Sequence, residues 1–297
     1  MSRRNIAIIG ANGHLGPSIL NALLAEPNFK TTVISRKSSK STYPNGANVL
    51  SVSDDLPMGE LIDALHGHDA LLCTFGGTLV EMQIKLADAC IAAGVRTFIP
   101  ADFGSCDSSS PRALELVPLY VGKTKVRDYL RSQEDKLSWT SLVCGHFFDY
   151  GLKSGLLHVD LSKREAMIFD GGDIRGSAST LARVAEATVQ VLHQEAATKN
   201  RMLYVQSFCV SQNEVLKATE KVVDAKFDVK NIDSDTYIKH LQHILEENPN
   251  DGEAIENMVG VVGIIDANWE EKQDFAMDLL GLKDENLEDV VKRTLHV

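Results

Sequence analysis

The stretch that most constrains this chain is Ile6-Ala-Ile-Ile-Gly10-Ala-Asn-Gly13-His-Leu-Gly16-Pro-Ser-Ile-Leu20. A short β-branched run meets a glycine cluster. A helical pattern follows, with Ile19, Leu20, Leu23 and Leu24 on one face. Strand, glycine turn and helix in this order form the frame of a dinucleotide-binding βαβ unit. Gly10 lets the chain turn sharply off the strand. Gly13 lets the backbone approach a pyrophosphate without an intervening Cβ, and Gly16 lets the helix pack close to the sheet. The phosphates would sit at the helix N-terminus, where free N–H groups and the dipole favour negative charge. The spacing is Gly-x-x-Gly-x-x-Gly rather than the commoner Gly-x-Gly-x-x-Gly, and a ligand-free turn has the same signature. The position between a clear strand and a clear helix carries the cofactor reading. It assigns Gly10, Asn12, Gly13, His14, Leu15 and Gly16 to the cradle.

The pattern continues beyond this unit. Apolar runs at 31–35, 48–52, 70–74, 97–100 and 139–143 alternate with helical patterns at 58–65, 79–93 and 120–133. Strands that are apolar throughout and alternate with helices predict a parallel sheet covered on both faces. The fold class is therefore α/β, a Rossmann doubly wound sheet of six strands, with the dinucleotide-binding domain at residues 1–150. Residues 101–118 read as one long loop, and loops of that length in compact domains are usually functional. Residues 151–297 read as a smaller, mostly helical substrate lobe that closes over the cofactor. It has short strands at 156–157 and 166–169 and helices at 180–192, 212–222, 234–247, 253–266, 270–280 and 286–295. A strand at 201–205 has the option of rejoining the main sheet.

Composition narrows the partners. Lys plus Arg is 30 and Asp plus Glu is 41, a net charge of −11. That excess of acid argues against nucleic acid and anionic membrane surfaces, and no apolar run reaches membrane-spanning length. A small-molecule substrate is expected, for a monomer or homodimer. The five cysteines are widely spaced and form no Cys-x-x-Cys. A disulfide framework or zinc site is not expected, and a reducing cytoplasm is the natural home. No secretory signal is read at the start, where Met1-Ser-Arg-Arg leads into the first strand. The histidines lack ligand-like grouping, so no metal is assigned.

Cofactor choice rests on Arg36 and Lys37. NAD-dependent proteins of this fold carry an acid at the end of the second strand for the ribose hydroxyl, and a basic residue accommodates a 2′-phosphate. Two cations and no acid stand there, so NADPH is expected, with arginine's planar fork suited to phosphate. Thr74, Phe75 and Gly76, with Gly77 after them, follow the fourth strand, at the sheet edge where ligands bind. A plain turn competes with that reading.

Thr97-Phe-Ile-Pro-Ala-Asp-Phe-Gly104 resembles the strand and Pro-x-Asp/Glu-Phe-Gly motif of the isoflavone reductase-like, or NmrA-like, atypical short-chain dehydrogenases. Gln83, Lys123-Thr-Lys125-Val-Arg127, and Trp139-Thr-Ser-Leu-Val followed by Gly145-His-Phe-Phe are similar to that family's segments in the same order. Phe148-Asp-Tyr-Gly-Leu-Lys153 and Val205-Gln-Ser-Phe look closer to fungal members. The resemblance covers most of the chain and weakens after about residue 210. It implies that Lys123 lies at the nicotinamide as general acid or base, and it adds Phe103, Lys123 and Phe147 to the cofactor contacts. Helical spacing puts Lys123 and Arg127 on one face, with Lys125 turned away.

The usual Tyr-x-x-x-Lys is missing. Tyr120-Val-Gly-Lys123 has a different spacing, so Tyr120 receives no catalytic role. His146 stands where plant members have asparagine. It reads either as a packed histidine or as a proton donor to substrate. With Phe147, Phe148 and Tyr150 it would border an apolar substrate wall. The expected activity is NADPH-dependent hydride transfer to a small aromatic or conjugated secondary metabolite. A cofactor-binding redox sensor without turnover, or an isomerase or cyclase on the same fold, are the rival readings.

Overall fold

The computed structural model describes residues 3–296. In chain order the strands are β1 (Arg4–Ile9), β2 (Phe29–Arg36), β3 (Asn48–Val52), β4 (Ala70–Cys73), β5 (Thr97–Ile99), β6 (Ser138–Val143), β7 (His146–Phe147), β8 (Val159–Asp160), β9 (Glu165–Phe169), β10 (Arg175–Ser179), β11 (Arg201–Tyr204), β12 (Phe208–Ser211) and β13 (Asp228–Ile232). The helices are α1 (Gly16–Ala25), α2 (Met58–Leu65), α3 (Val80–Ala93), α4 (Pro111–Leu116), α5 (Pro118–Arg131), α6 (Phe148–Ser154), α7 (Leu181–His193), α8 (Glu195–Thr198), α9 (Gln212–Val223), α10 (Ser234–Glu247), α11 (Gly252–Ile265) and α12 (Leu287–Leu295).

The chain forms two compact units. The first holds the chain up to Asp102 together with Val121–Leu142 and Ala185–Leu203. Its seven-stranded sheet has the order β11-β6-β5-β4-β1-β2-β3, and the pairs from β6 to β3 are parallel. This is the doubly wound α/β fold, with the strand near 201–205 rejoining the sheet. Ile6, Ala7, Ile8, Leu71 and Leu72 are fully buried because helices cover both faces. The winding runs outward from β1 through β2 and β3, then returns to β4 on the other side. The C-terminal ends of β1 and β4 therefore flank the point where strand order reverses, the crevice where such sheets bind ligands. Thr74 ties the two ends together: its N–H and hydroxyl both donate to the Ile9 carbonyl, at 2.9 and 3.0 Å. Gln83, buried on α3, accepts the Ala101 N–H at 2.8 Å and so fixes the chain where Pro100 ends β5.

The second unit comprises Phe103–Tyr120, Val143–Val184 and the chain from Tyr204 onward. It contains two three-stranded sheets, β12-β10-β7 and β13-β9-β8. Its core joins Phe148, Leu152, Ile168, Phe208, Val215 and Val291 from both sheets and from α6, α9 and α12.

Several expectations change. A single boundary at residue 150 differs from the observed division, because the chain re-enters the first unit twice. The later part is largely helical, as expected, with α7 and α9 to α12 set beside the short strands β8 to β13. Residues 101–118 contain α4, started by Pro111 and capped by the Ser110 hydroxyl, which accepts the Ala113 N–H at 3.1 Å. Residues 156–157 form a turn after α6, not a strand. The helix expected at 270–280 is absent. Its backbone pairs instead with Tyr204, which donates to the Asp274 carbonyl at 3.0 Å and accepts from Ala276 N–H at 2.9 Å.

Candidate functional site

The glycine loop divides into positions the fold needs and one it does not. Gly10 has φ +86°, and a Cβ there would lie 2.7 Å from the Phe75 nitrogen. A Cβ on Gly16 would lie 2.4 Å from the Gly10 carbonyl oxygen, so its close packing is against the loop's own backbone rather than the sheet. Gly13 is different. A Cβ there would meet the Thr74 and Gly10 carbonyl oxygens at 3.5 and 3.6 Å, ordinary contact distances. The protein's own packing therefore leaves the Gly13 position open. Helix α1 starts beside it with no side-chain cap and no acidic residue in its first turn, which leaves the positive end of its dipole uncompensated.

Of the three glycines, Gly10 borders a groove of the first unit enclosing about 930 Å³ of space, part of it open to solvent, while Gly13 and Gly16 do not line it. Gly10, Asn12, Arg36 and Phe75 line it, together with Ser39, Tyr43, Asp54 and Leu79, which sequence reasoning missed. The loop after β2 is folded back by two hydrogen bonds, Asn12 Nδ2 to Ser41 Oγ at 2.5 Å and the Tyr43 hydroxyl to Ser35 Oγ at 3.3 Å. No hydrogen bond or ion pair engages the exposed Arg36 guanidinium among the described residues. Asp54 faces the same groove. The Ser38 N–H, at 3.0 Å, holds its carboxyl below the usual range, and the Arg36 charge adds to this. Lys37 is turned elsewhere: its Nζ donates to Ser53 Oγ at 3.0 Å and lies 3.6 Å from Glu60. His14 is exposed on the loop without lining the groove, and the Leu15 side chain is buried. Thr74 is committed to Ile9, and Gly76 is exposed.

The second cluster surrounds Asp102. Lys123 and Arg127, one turn apart on α5, are both buried. Lys123 Nζ donates to the Asp102 main-chain oxygen and lies 3.7 Å from its Oδ1. Arg127 and the Ser141 hydroxyl both donate to Asp102 Oδ2. Arg127 also donates to Thr124 Oγ1 at 2.9 Å, while Lys125 points into solvent. Burial pushes the Asp102 pKa up, but the Arg127 and Lys123 charges and the Ser141 hydrogen bond outweigh it and hold the carboxyl ionised below its ordinary value. The spacing of Lys123 and Arg127 was legible; Asp102 was visible only as a letter in its motif. The chain after Asp102 takes an unusual path, with Phe103 at φ +31°, a conformation that bulky residues rarely adopt.

In the second unit His146 and Phe148 line one cavity, and Tyr150 does not. Phe148 is buried and packs edge-on against Phe208 at 4.9 Å. His146 and Phe147 form β7, which pairs with β10 at Ala178 and Ser179. His146 Nε2 lies 3.1 Å from the Gly260 carbonyl oxygen, and burial takes its pKa down to about 4 against the opposing pull of that hydrogen bond. The Tyr120 hydroxyl is 2.7 Å from Ser105 Oγ.

A family model described as the NmrA-like family matches residues 2–274. The chain belongs to the NmrA-like family. One relative, oxidoreductase aprR of Aspergillus flavus, is 35% identical over 232 residues, covering 77% of this chain and 77% of that protein. The isoflavone reductase of Pisum sativum is 24% identical over 267 residues, 81% of this chain and 82% of its own. The fold matches a solved structure described as the binary complex leucoanthocyanidin reductase–NADPH from Vitis vinifera, with a TM-score of 0.80 at 17% identity, covering 99% of this chain and all of that one. This NmrA-like chain is thus an oxidoreductase by its relatives, with fungal proteins among them, as the motifs implied.

Proposed function

We propose that this chain is an NADPH-dependent reductase of a small aromatic or conjugated metabolite. The observation that carries the reading is the open Gly13 position beside the uncapped start of α1, on a loop whose Gly10 and Asn12 line the groove that also presents the unpaired Arg36 guanidinium. A fold that needed only a turn would not need glycine there. The NADPH complex of a structural relative adds support. The residues fit the cofactor: the Gly10–Gly16 backbone for the pyrophosphate, Arg36 for the 2′-phosphate, and Phe75 with Leu79 as apolar groove walls. When bound, NADPH supplies a hydride to an electrophilic carbon.

The chain's own part is to hold a proton and a substrate. Asp102 fixes Lys123 Nζ through its main-chain oxygen and its carboxylate, so the lysine presents a transferable proton at one place. Arg127 and Ser141 hold Asp102 in turn. The cavity bordered by His146 and Phe148 receives the apolar body of the substrate.

Calorimetric titration of NADPH into wild type and Gly13→Val tests the reading. Wild type should bind, and the variant should lose binding while keeping its far-UV circular dichroism, since the fold leaves the Gly13 Cβ position clear. Undiminished affinity in the variant would remove the glycine loop from the site.

A further inference from the structure

We propose that His146 is a fixed hydrogen-bond acceptor that selects, for the second-unit cavity, an apolar ligand carrying one hydrogen-bond donor. This rests on the reading of that cavity as the substrate's place and adds what the substrate must carry.

The cavity encloses about 470 Å³, part of it open to solvent, and its wall is mainly aliphatic, with Leu157, Val159, Val210 and Ile264 among its members. The polar side chains on the wall are already committed. Ser177 Oγ donates to Gln206 at 2.8 Å and accepts the Trp269 N–H at 3.0 Å. Gln212 accepts the Phe169 N–H at 2.8 Å and donates to the Met167 carbonyl at 3.1 Å. Ser211 caps α9 by accepting the Glu214 N–H at 3.2 Å. His146 is the exception.

Its ring is seated on α11 in a gap made by small residues. A Cβ on Gly263 would lie 2.4 Å from Nε2, so the ring occupies the space a side chain would fill. Nε2 is 3.1 Å from the Gly260 carbonyl oxygen. A carbonyl oxygen can only accept, so Nε2 carries the proton in this contact. A neutral imidazole has one N–H. Nδ1 is therefore a lone pair, and the ring's hydrogen bond among the described residues is the Nε2 contact to Gly260. A ligand oxygen or nitrogen bearing hydrogen satisfies that lone pair; a ketone or ether oxygen meets it acceptor to acceptor. Discrimination then comes from leaving a polar atom unmatched in an apolar wall, the more selective kind of recognition. His158 makes the contrast. Its Nε2 is buried without a partner, and its ring packs edge-on to Phe169 and Tyr237 and does not line the cavity.

The test uses 2-naphthol, which carries a donor, and 2-methoxynaphthalene, which does not, titrated by calorimetry into the full chain. Wild type should prefer 2-naphthol by about tenfold, the range of one neutral hydrogen bond. His146→Phe should bind both equally. Equal binding by wild type, a preference that survives in His146→Phe, or no binding of either probe would overturn the assignment. Because His146 packs on Gly263, the variant is backed by a measurement on wild type alone. In ¹⁵N spectra of the histidine ring, Nε2 should appear protonated and Nδ1 as a bare lone pair, and only 2-naphthol should shift Nδ1. The opposite tautomer also overturns the proposal. NADPH titrated into the same samples reports on the reductase reading separately.

Discussion

The first unit takes Asp102, Lys123 and Arg127 out of water as charges, with both cations paired to the one carboxylate. The second takes His146 and His158 out of water as well, yet neither ring pairs with a carboxylate, and burial drives the pKa of each to about 4. The same physical cost has two resolutions. A charge survives in the interior when a partner and hydrogen bonds compensate its lost hydration; a titratable ring without such a partner gives up its charge instead. The first arrangement keeps a proton on a cation at a fixed atom. The second keeps lone pairs and N–H groups, which suit recognition.

The sharpest break of this contrast is at Lys123. Lys123→Met should cut turnover by about 10²–10⁴-fold, the range of a lost general acid or base. A substrate can be found by screening NADPH consumption against enones, imines and phenolic ethers. NADPH affinity should fall far less. Lys125→Met is the control, because Lys125 is exposed on the same helix and should turn over near the wild-type rate. Wild-type turnover in Lys123→Met would make the lysine a bystander and send the search for the proton to His146, Tyr150 or water.

Acid separates the two arrangements next. The folded histidines titrate at about 4, below the ordinary value near 6.5. Between these values the unfolded chain binds protons that the folded chain refuses, so their stability contribution is present above about pH 6.5 and is lost as pH falls to about 4. At about 1.36 kcal/mol per unit, each ring contributes at most about 3 kcal/mol, less for its partial exposure. His68, half-buried in the first unit, adds a contribution of the same sign. Asp102 has the same sign in a lower window. Its carboxyl sits below the ordinary value, so its contribution holds above about pH 4 and is lost only below. Urea midpoints from pH 7 to pH 4 should decline, and replacing His158 with Phe should flatten part of that decline. A stability flat across the range would mean the rings are solvated.

The two units also differed in how much their sequences disclosed. Strand β3 and helix α2 fall at the bounds their patterns predicted, and β4, buried along its whole length between two helical layers, reads as an uninterrupted apolar run. The sheet edge with Gly10, Arg36 and Thr74 followed directly. Strands β10, Arg-Gly-Ser-Ala-Ser, and β13, Asp-Val-Lys-Asn-Ile, carry no such run and exist through their pairing with β12 and β9. Residues 270–280 carry a helical pattern that backbone pairing to Tyr204 overrides. Asp102 could not be matched to Lys123 from spacing, since only the tertiary fold brings the end of β5 to α5. Gly260 and Gly263 likewise read as ordinary helix residues until His146 is seen against them.

The smallest effect lies at the end of β2, where the contrast between paired and unpaired groups recurs at the surface. Arg36 and Lys37 are adjacent cations that sequence alone treats as a pair of phosphate ligands. The structure separates them: Lys37 is engaged by Ser53 and Glu60, and Arg36 faces the groove without an ion pair among the described residues. A charge-assisted hydrogen bond is what Arg36 offers a 2′-phosphate, so Arg36→Ala should reduce the preference for NADPH over NADH by roughly ten- to a hundredfold. Lys37→Ala should change it by less than about threefold, the scale of a screened surface charge. Asp54, on the same groove, repels the phosphate and pulls the effect toward the low end of its range. Calorimetric dissociation constants for both cofactors and both variants decide the matter. Equal losses from the two substitutions would mean that Lys37 leaves Glu60 to bind phosphate, and an unchanged preference in Arg36→Ala would place the 2′-phosphate elsewhere.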